Sequence, residues 1–167
     1  MMKIGQATMP VDSASLSGQE DAEKVQVEML LLRLSNHNFL LPLEQVAEIN
    51  RPMPLSRTPL SPEYFLGLAN LRGRPLCVID PGLRMGLPVA SEPVAVSKQR
   101  FVSLRHPHMH VAIRVDRVEE IYTIQPGDVI QDAVGGGMPS KMADFIVGRA
   151  EIEGTAYDVL DWGALLC

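Results

Sequence analysis

The first hydrophobic pattern in the chain is an alternation that begins at Val25. From Val25 to Leu31 every second residue is apolar, and Leu30 then fills one of the polar positions. Period-two alternation predicts a β-strand with one buried face, and the apolar run after it predicts burial of both faces. Polar residues at 35–38 predict a turn, and the apolar run at 39–41 completes a hairpin.

A second hairpin is predicted around the tight polar turn Arg72-Gly73-Arg74. Apolar runs flank this turn on both sides, and glycine adopts a left-handed backbone without strain. Asp80-Pro81 follows as the N-cap and first residue of a short helix, which Gly86 ends.

The second half of the chain repeats this style. It ends in a hairpin around Glu153-Gly154 and a short helix capped by Asp161. Short strands without any helix longer than about two turns indicate an all-β protein of barrel or sandwich type. The echo between the halves favours two small barrels that share a core. The further strands are predicted at 100–104, 111–115, 118–124, 145–150 and 156–160.

Other segments depart from the strand pattern. Residues 43–49 fit either a short helix or a strand. Four prolines between Arg51 and Pro62 exclude a helix or a central strand there and predict an extended surface connection. Residues 1–24 are too polar to offset their ordering entropy and predict a disordered tail, and Gly135–Gly137 predicts a flexible loop.

Composition narrows the class of function. The chain has 167 residues, a formal net charge of −5 and 46% hydrophobic residues, which is typical of one soluble globular domain. We expect no nucleic-acid partner and no direct membrane insertion, because the 15 Lys and Arg residues form no basic run. Cys77 and Cys167 form no disulfide framework, so a cytoplasmic location is expected.

Residues with catalytic or metal-binding chemistry are present but lack the required context. His106, His108 and His110 would share one strand face, yet Pro107 breaks the ladder and no carboxylate or cysteine is near in sequence. The glycines at 135–137 lack the Lys-Ser or Lys-Thr of a phosphate-binding loop. No nucleophile elbow occurs. We therefore predict a non-enzymatic protein with no cofactor and no metal, whose best candidate contact is the Arg72 turn.

Six short motifs together resemble the CheW family of chemotaxis adaptor domains. Their order and spacing extend over about residues 25–166, and Asn-Leu-Arg-Gly is the most specific element. The motifs are Val46-Ala47-Glu48-Ile49, Gly67-Leu68-Ala69-Asn70-Leu71-Arg72-Gly73, Pro75-Leu76-Cys77-Val78-Ile79-Asp80, Val115-Asp116-Arg117-Val118, Ile146-Val147-Gly148 and Val159-Leu160-Asp161.

This resemblance implies a fold, a role and partners. The fold would be two five-stranded SH3-like β-barrels around a common hydrophobic core, in a single domain at 25–166, with the first barrel at roughly 35–90 and the second at roughly 91–166 plus the N-terminal strand. The role would be a scaffold that couples the cytoplasmic tip of a methyl-accepting chemoreceptor to the regulatory domain of a CheA-type histidine kinase. By resemblance, the protein-interaction residues are Val46, Glu48, Gly67, Asn70, Arg72 and Gly73.

Two other functions remain open at this point. A small molecule could bind in a cleft between the barrels, although aromatic residues are few and no polar cluster converges. Alternatively, the chain could be a paralogue that binds the kinase without coupling it to receptors. The motifs do not separate this paralogue from a full adaptor.

Overall fold

The computed structural model describes residues 25–131 and 140–166, and short β-strands dominate it. None of the helices in these ranges is long and apolar enough to cross a membrane. The strands are β1 (Val27–Leu34), β2 (His37–Pro42), β3 (Val46–Asn50), β4 (Phe65–Leu71), β5 (Arg74–Ile79), β6 (Arg100–Leu104), β7 (Val111–Val115), β8 (Arg117–Ile124), β9 (Val129–Ile130), β10 (Ile146–Ile152) and β11 (Thr155–Leu160). The α-helices are α1 (Pro81–Met85), α2 (Ser140–Ala143) and α3 (Trp162–Leu166).

The strands form two sheets built on one plan. The six-stranded sheet has the order β9-β10-β11-β2-β1-β8, and the five-stranded sheet has the order β3-β6-β7-β5-β4. In each sheet two antiparallel hairpins meet through one parallel pair, β11 with β2 and β5 with β7. This arrangement confirms the predicted all-β class with two SH3-like units. The sixth strand of the first sheet is the two-residue β9.

The N-terminal strand β1 shares a sheet with the last strands of the chain, as predicted, but the predicted boundary near residue 90 does not follow the strand pairing. Each half of the chain contributes its first hairpin to the other unit. The hairpin β1–β2 pairs with β8 and β11, whereas the hairpin β6–β7 pairs with β3 and β5. A three-residue 3₁₀ turn, Leu43–Gln45, separates β2 from β3, and this short connection passes the chain directly into the opposite sheet. The two units are therefore interlocked along the sequence.

The interlocked strands explain why several of them are apolar on both faces. Leu30, Leu32 and Leu34 of β1 point into a core that also contains Ile113 and Val115 of the other sheet. This shared core contains buried residues from both sheets and at least one from each of the three helices. One face of such a strand packs between the two sheets, and its other face packs inside its own barrel. Both faces are then buried, so the strand needs a continuous apolar run and not an alternation of apolar and polar residues.

Each unit also has its own interior cluster. Met29, Leu31 and Leu40 lie inside the six-stranded unit, and Leu76 and Val78 lie inside the five-stranded unit. These residues alternate along their strands with residues of the shared core, as the period of two requires. The described residues therefore form three apolar clusters, and the shared one is the largest.

An arginine in α1 links the two units across their junction. The guanidinium carbon of Arg84 lies 4.9 Å from the ring centre of Tyr64 and 5.0 Å from that of Phe145. Tyr64 precedes β4 of one sheet, and Phe145 precedes β10 of the other. Cation–π contacts of one guanidinium with a ring from each unit therefore help to fix the orientation of the two sheets.

Most predicted turns and caps are confirmed. The side chain of Asp80 accepts a hydrogen bond from the Leu83 N–H at 3.1 Å, and Gly86 ends α1 with a φ of 75°. Asp161 similarly accepts from the Ala164 N–H at 3.3 Å. Residues 43–49 combine both alternatives, a single 3₁₀ turn followed by β3. The Ser61 hydroxyl donates to the Thr58 carbonyl oxygen at 2.7 Å, in the connection before β4.

Substitution of Asp80 tests how α1 is anchored. Asp80 caps α1 with one carboxylate oxygen and pairs with Arg114 of β7 through the other, at 2.5 Å from Nη2. Asp80→Ala removes both contacts, and we expect the free energy of unfolding to fall by about 1–2 kcal/mol. Asp80→Asn keeps the cap and should lose less. Equal stability of the wild type and Asp80→Ala in urea unfolding would contradict this role.

Candidate interaction site at the Arg72 turn

The turn between β4 and β5 places an arginine at the tip of a hairpin. Leu71 pairs with Arg74 across the ladder, so the loop has two residues. Arg72 has a φ of 52° and Gly73 has a φ of 81°, as in a type I′ turn. The Asn70 side-chain oxygen accepts a hydrogen bond from the Gly73 N–H at 2.8 Å and stiffens the turn.

The backbone conformation of Arg72 is unusual for its residue type. Asn, Asp and Gly are the residues that type I′ turns prefer at this position, because other side chains crowd the backbone at positive φ. A residue that keeps a strained conformation suggests a role other than stability. The side chain of Arg72 is also 69% exposed.

A carboxylate holds the Arg72 side chain in place. Nη2 of Arg72 lies 2.8 Å from Oε1 and 2.8 Å from Oε2 of Glu48 on β3. Asn50, two residues further along the same strand face, donates from Nδ2 to Oε1 of Glu48 at 2.8 Å. The carboxylate thus has partners on both sides, and the arginine is oriented while most of its surface remains available.

The ion pair also joins the two outer strands of one sheet. Glu48 lies on β3 and Arg72 follows β4, and these strands occupy opposite ends of the five-stranded order. Their contact therefore spans the gap between the ends of the sheet. An exposed ion pair contributes little to stability, so its main effect is to fix the direction of the Arg72 side chain.

Hydrogen bonding keeps Glu48 charged. The side-chain hydrogen bond from Asn50, followed by that from Arg72, lowers the pKa of Glu48 below its ordinary value of 4.5. Desolvation by partial burial opposes these hydrogen bonds, and the electrostatic influence of Arg72 and then of His110 adds to them. Glu48 is consequently ionised across the physiological pH range.

This lowered pKa predicts where the pair breaks. The contribution of Glu48 is fully present above pH 4.5 and is lost as the pH falls through the lower pKa of the folded state. We expect the carboxyl resonance of Glu48 in an NMR titration to have its midpoint below 4.5. Asn50→Ala should move that midpoint upward, because it removes the largest cause of the shift. A midpoint at the ordinary value in the wild type would contradict the bonded geometry.

Gly67 allows the proline-rich segment to pack against β4. Ser56 and Leu68 exchange two backbone hydrogen bonds, at 2.8 and 2.9 Å, and so cover part of this outer strand. Gly67 has a φ of 139°, and a Cβ there would lie 2.5 Å from the Ser56 carbonyl oxygen. Gly67 is buried, so it shapes the strand and offers no contact surface.

Val46 likewise has a supporting position. This residue is 7% exposed and belongs to the shared core. The register of β3 shifts between Val46 and Glu48, so that Val46 points inward while Glu48 reaches the Arg72 turn. Of the six predicted interaction residues, the structure thus leaves Glu48 half-buried and Asn70, Arg72 and Gly73 exposed, and brings these four together at one end of the five-stranded unit.

Two residues of this site were not predicted from the sequence. Asn50 was missed although its spacing from Glu48 puts both side chains on one strand face, a signal that the sequence does contain. Ser56 was missed because its contact with Leu68 is a backbone pairing, for which the proline-rich segment carries no pattern.

The structure shows no arrangement suited to metal chemistry in its described ranges. No group of three or more His, Cys, Asp or Glu side chains there could hold a metal ion. His106 instead accepts backbone hydrogen bonds at Nδ1 from His108 and Met109, at 3.0 and 2.9 Å. The predicted tail at 1–24, the Gly135–Gly137 loop and Cys167 lie outside the described residues.

Comparison with known proteins establishes the family. The model of the CheW-like domain matches residues 28–167. The chain belongs to the CheW-like domain family. It is 27% identical to the chemotaxis protein CheW of Helicobacter pylori over 118 residues, or 71% of this chain and 69% of that relative. It is 32% identical over 101 residues to a probable chemotaxis protein CheW of Rhizobium etli, covering 58% of this chain and 61% of the relative.

A solved structure supports the fold. The crystal structure of the scaffolding protein TtCheW from Thermoanaerobacter tengcongensis matches with a TM-score of 0.71 and 19% identity. The match covers 82% of this chain and 90% of that one. The CheW-like fold, with its two β units, is therefore shared over most of the described residues.

Proposed function

We propose that this chain is a non-enzymatic chemotaxis adaptor that couples the cytoplasmic tip of a chemoreceptor to the regulatory domain of a CheA-type histidine kinase. The observation that carries the proposal is membership of the CheW-like family over residues 28–167. The geometry supports it, because the best-defined exposed feature is a fixed arginine rather than a reaction centre. Such an adaptor would act in the cytoplasm, where receptor tips and kinase meet.

The Arg72 turn is the contact that we assign to a protein partner. Arginine is enriched at interface centres, where its planar guanidinium makes several directed hydrogen bonds. The bond to Glu48 and the capping by Asn70 restrict the conformation of the turn before binding. Less entropy is then lost on association, which favours affinity.

Coupling would be mechanical rather than chemical. An adaptor that binds receptor and kinase at once fixes their relative geometry, so that a change at the receptor tip shifts the kinase between two states. The interlocked hairpins suit this task, because the two units share one hydrophobic core.

The two other functions are less well supported. A cleft of about 270 Å³ lies beside α1, but its charged groups Asp80 and Arg114 already pair with each other, and Asp116 accepts from the Ser35 N–H at 2.6 Å. No convergent set of unsatisfied polar groups is therefore offered to a ligand. A paralogue that binds only the kinase would have the same fold as a full adaptor and would differ from it only in lacking a receptor partner.

A reconstitution separates these functions. Kinase autophosphorylation is measured with a receptor signalling fragment, with and without this chain. An adaptor should raise the response to the receptor by roughly tenfold, within the usual range of allosteric coupling. A paralogue would bind the kinase without this response, and a ligand-binding module would bind neither partner. Either of these two results would overturn the proposed coupling.

A further inference from the structure

A basic cleft lies next to the Arg72 turn, on the loop between β6 and β7. Its volume is about 570 Å³. None of its lining residues belongs to the four that meet at the turn. We call it the histidine–arginine cleft, and it is lined by Ala47, Arg74, Leu104, Arg105, His106, Pro107, His108, Met109 and His110.

The charge of this cleft is opposite to that of the whole chain. Two arginines and three histidines line it, and no carboxylate is among the lining residues, although the chain has a formal net charge of −5. The neighbouring Glu48 is already paired with Arg72. A local basic surface on an acidic protein attracts acidic groups selectively.

Hydrogen bonds fix the loop that forms the cleft. Nδ1 of His106 accepts from two backbone N–H groups of the same loop, so in the neutral ring the proton is on Nε2. Nδ1 of His110 lies 2.9 Å from the Pro75 carbonyl oxygen and donates to it, which ties the loop to β5. The loop that lines the cleft is therefore held in place by hydrogen bonds within the chain itself.

Its two arginines suit carboxylate recognition. Nε of Arg105 donates to the Glu44 carbonyl oxygen at 2.9 Å, which anchors the side chain of this exposed residue and does not use its two terminal nitrogens. Arg74, at the start of β5, is also exposed. Two guanidinium groups on one cleft can bind successive carboxylates in bidentate geometry.

We propose that the histidine–arginine cleft binds an acidic peptide segment of a partner protein through Arg74 and Arg105. The argument is charge complementarity together with a fixed loop, and it goes beyond the adaptor role assigned to the Arg72 turn. The engaged Nδ1 atoms of His106 and His110 and the lack of a metal-binding group in the described ranges argue against a metal ion as occupant.

The chain carries its own reporter for this binding. Trp162 is the single tryptophan, and its ring centre lies 5.9 Å from that of His106 in an edge-to-face contact. Its fluorescence should therefore change when a ligand displaces water or moves the loop. The probe is an octaglutamate peptide added to the full chain at an ionic strength of about 0.15 M, where the Debye length is about 8 Å, and octalysine is the control peptide.

We expect saturable binding of octaglutamate, none of octalysine, and at least a tenfold loss of affinity in the double variant Arg74→Glu/Arg105→Glu. Arg57→Glu reverses the charge of another exposed arginine and should leave the affinity within about twofold, because long-range charge effects are weak.

Arg74→Gln/Arg105→Gln replaces the double charge reversal if that variant does not fold. Calorimetry of the same titration replaces fluorescence if the tryptophan is silent. No binding of octaglutamate, or equal affinity in the wild type and a folded double variant, would overturn the proposal.

Discussion

Arg72→Glu should weaken binding to the kinase or receptor partner by about 1–2 kcal/mol or more, a loss of roughly 5- to 30-fold, without unfolding the protein. The exposed guanidinium is lost, and the new carboxylate lies opposite Glu48, so the turn no longer presents a fixed cation. Isothermal titration calorimetry against each partner measures the affinity, and urea unfolding measures stability. Unchanged affinity in the folded variant would remove Arg72 from the interaction site.

A second substitution separates the function of Arg72 from its effect on the turn. Arg72→Asn installs a residue that type I′ turns prefer at a φ of 52°, so stability should be preserved or should rise. Binding should nevertheless fall, because the cation is gone. The charge exchange Glu48→Arg/Arg72→Glu keeps an ion pair between the two positions, but it puts the carboxylate at the turn and the guanidinium on β3. If this exchange recovered full affinity, Arg72 would serve only to close the barrel and would make no contact with a partner.

Gly67→Ala should lower the free energy of unfolding by about 3 kcal/mol. Two causes combine, namely a φ of 139° that side chains rarely adopt and a Cβ that would lie 2.5 Å from the Ser56 carbonyl oxygen. Backbone atoms cannot yield as a flexible side chain can, so the proline-rich segment must leave β4. Chemical denaturation measures the loss, and hydrogen exchange at the Leu68 and Ser56 amides should show the separation.

Gly154→Ala is the matched control for this effect. Gly154 also has a positive φ, 82°, in a hairpin turn, but a Cβ there meets nothing within 4 Å. Only the cost of the left-handed backbone remains, and we expect about 1 kcal/mol. Equal losses in the two variants would show that the contact with Ser56 adds nothing.

Local structure was predictable wherever the cause was local. Asp80-Pro81 and Gly86 define α1 because a cap, a fixed φ and a left-handed C-terminus each depend on one residue and its neighbours. The Arg72 turn was predictable for the same reason. The apolar runs of β1 and β2 likewise indicated burial on both faces.

The assignment of strands to barrels depends on long-range pairing. The predicted similarity of the two halves is present, because both sheets are built on the same plan of two hairpins. The pairing of β2 with β11 and of β5 with β7, however, joins residues more than thirty positions apart. Periodicity states that a strand is buried and does not state which sheet buries it. The exchange of hairpins between halves therefore left no trace in the pattern.

The candidate site divides in the same way. Resemblance selected Glu48 and Arg72, but only the folded chain shows that β3 and the β4–β5 turn meet. Val46 and Gly67 belong to the family motifs just as Arg72 does. Both are buried in the structure, however, so they support the site and do not contact a partner. Sequence distinguishes such residues poorly, because a contact residue and the glycine that shapes its strand lie in one motif.

The most direct test of the adaptor function is calorimetric titration of this chain with the regulatory domains of the CheA-type kinases of its own organism. Arg72→Asn is titrated alongside as a folded variant that lacks the cation. We predict saturable binding to one kinase and clearly weaker binding of the variant. Absence of binding to every such kinase, from protein whose unfolding is cooperative, would contradict the adaptor function.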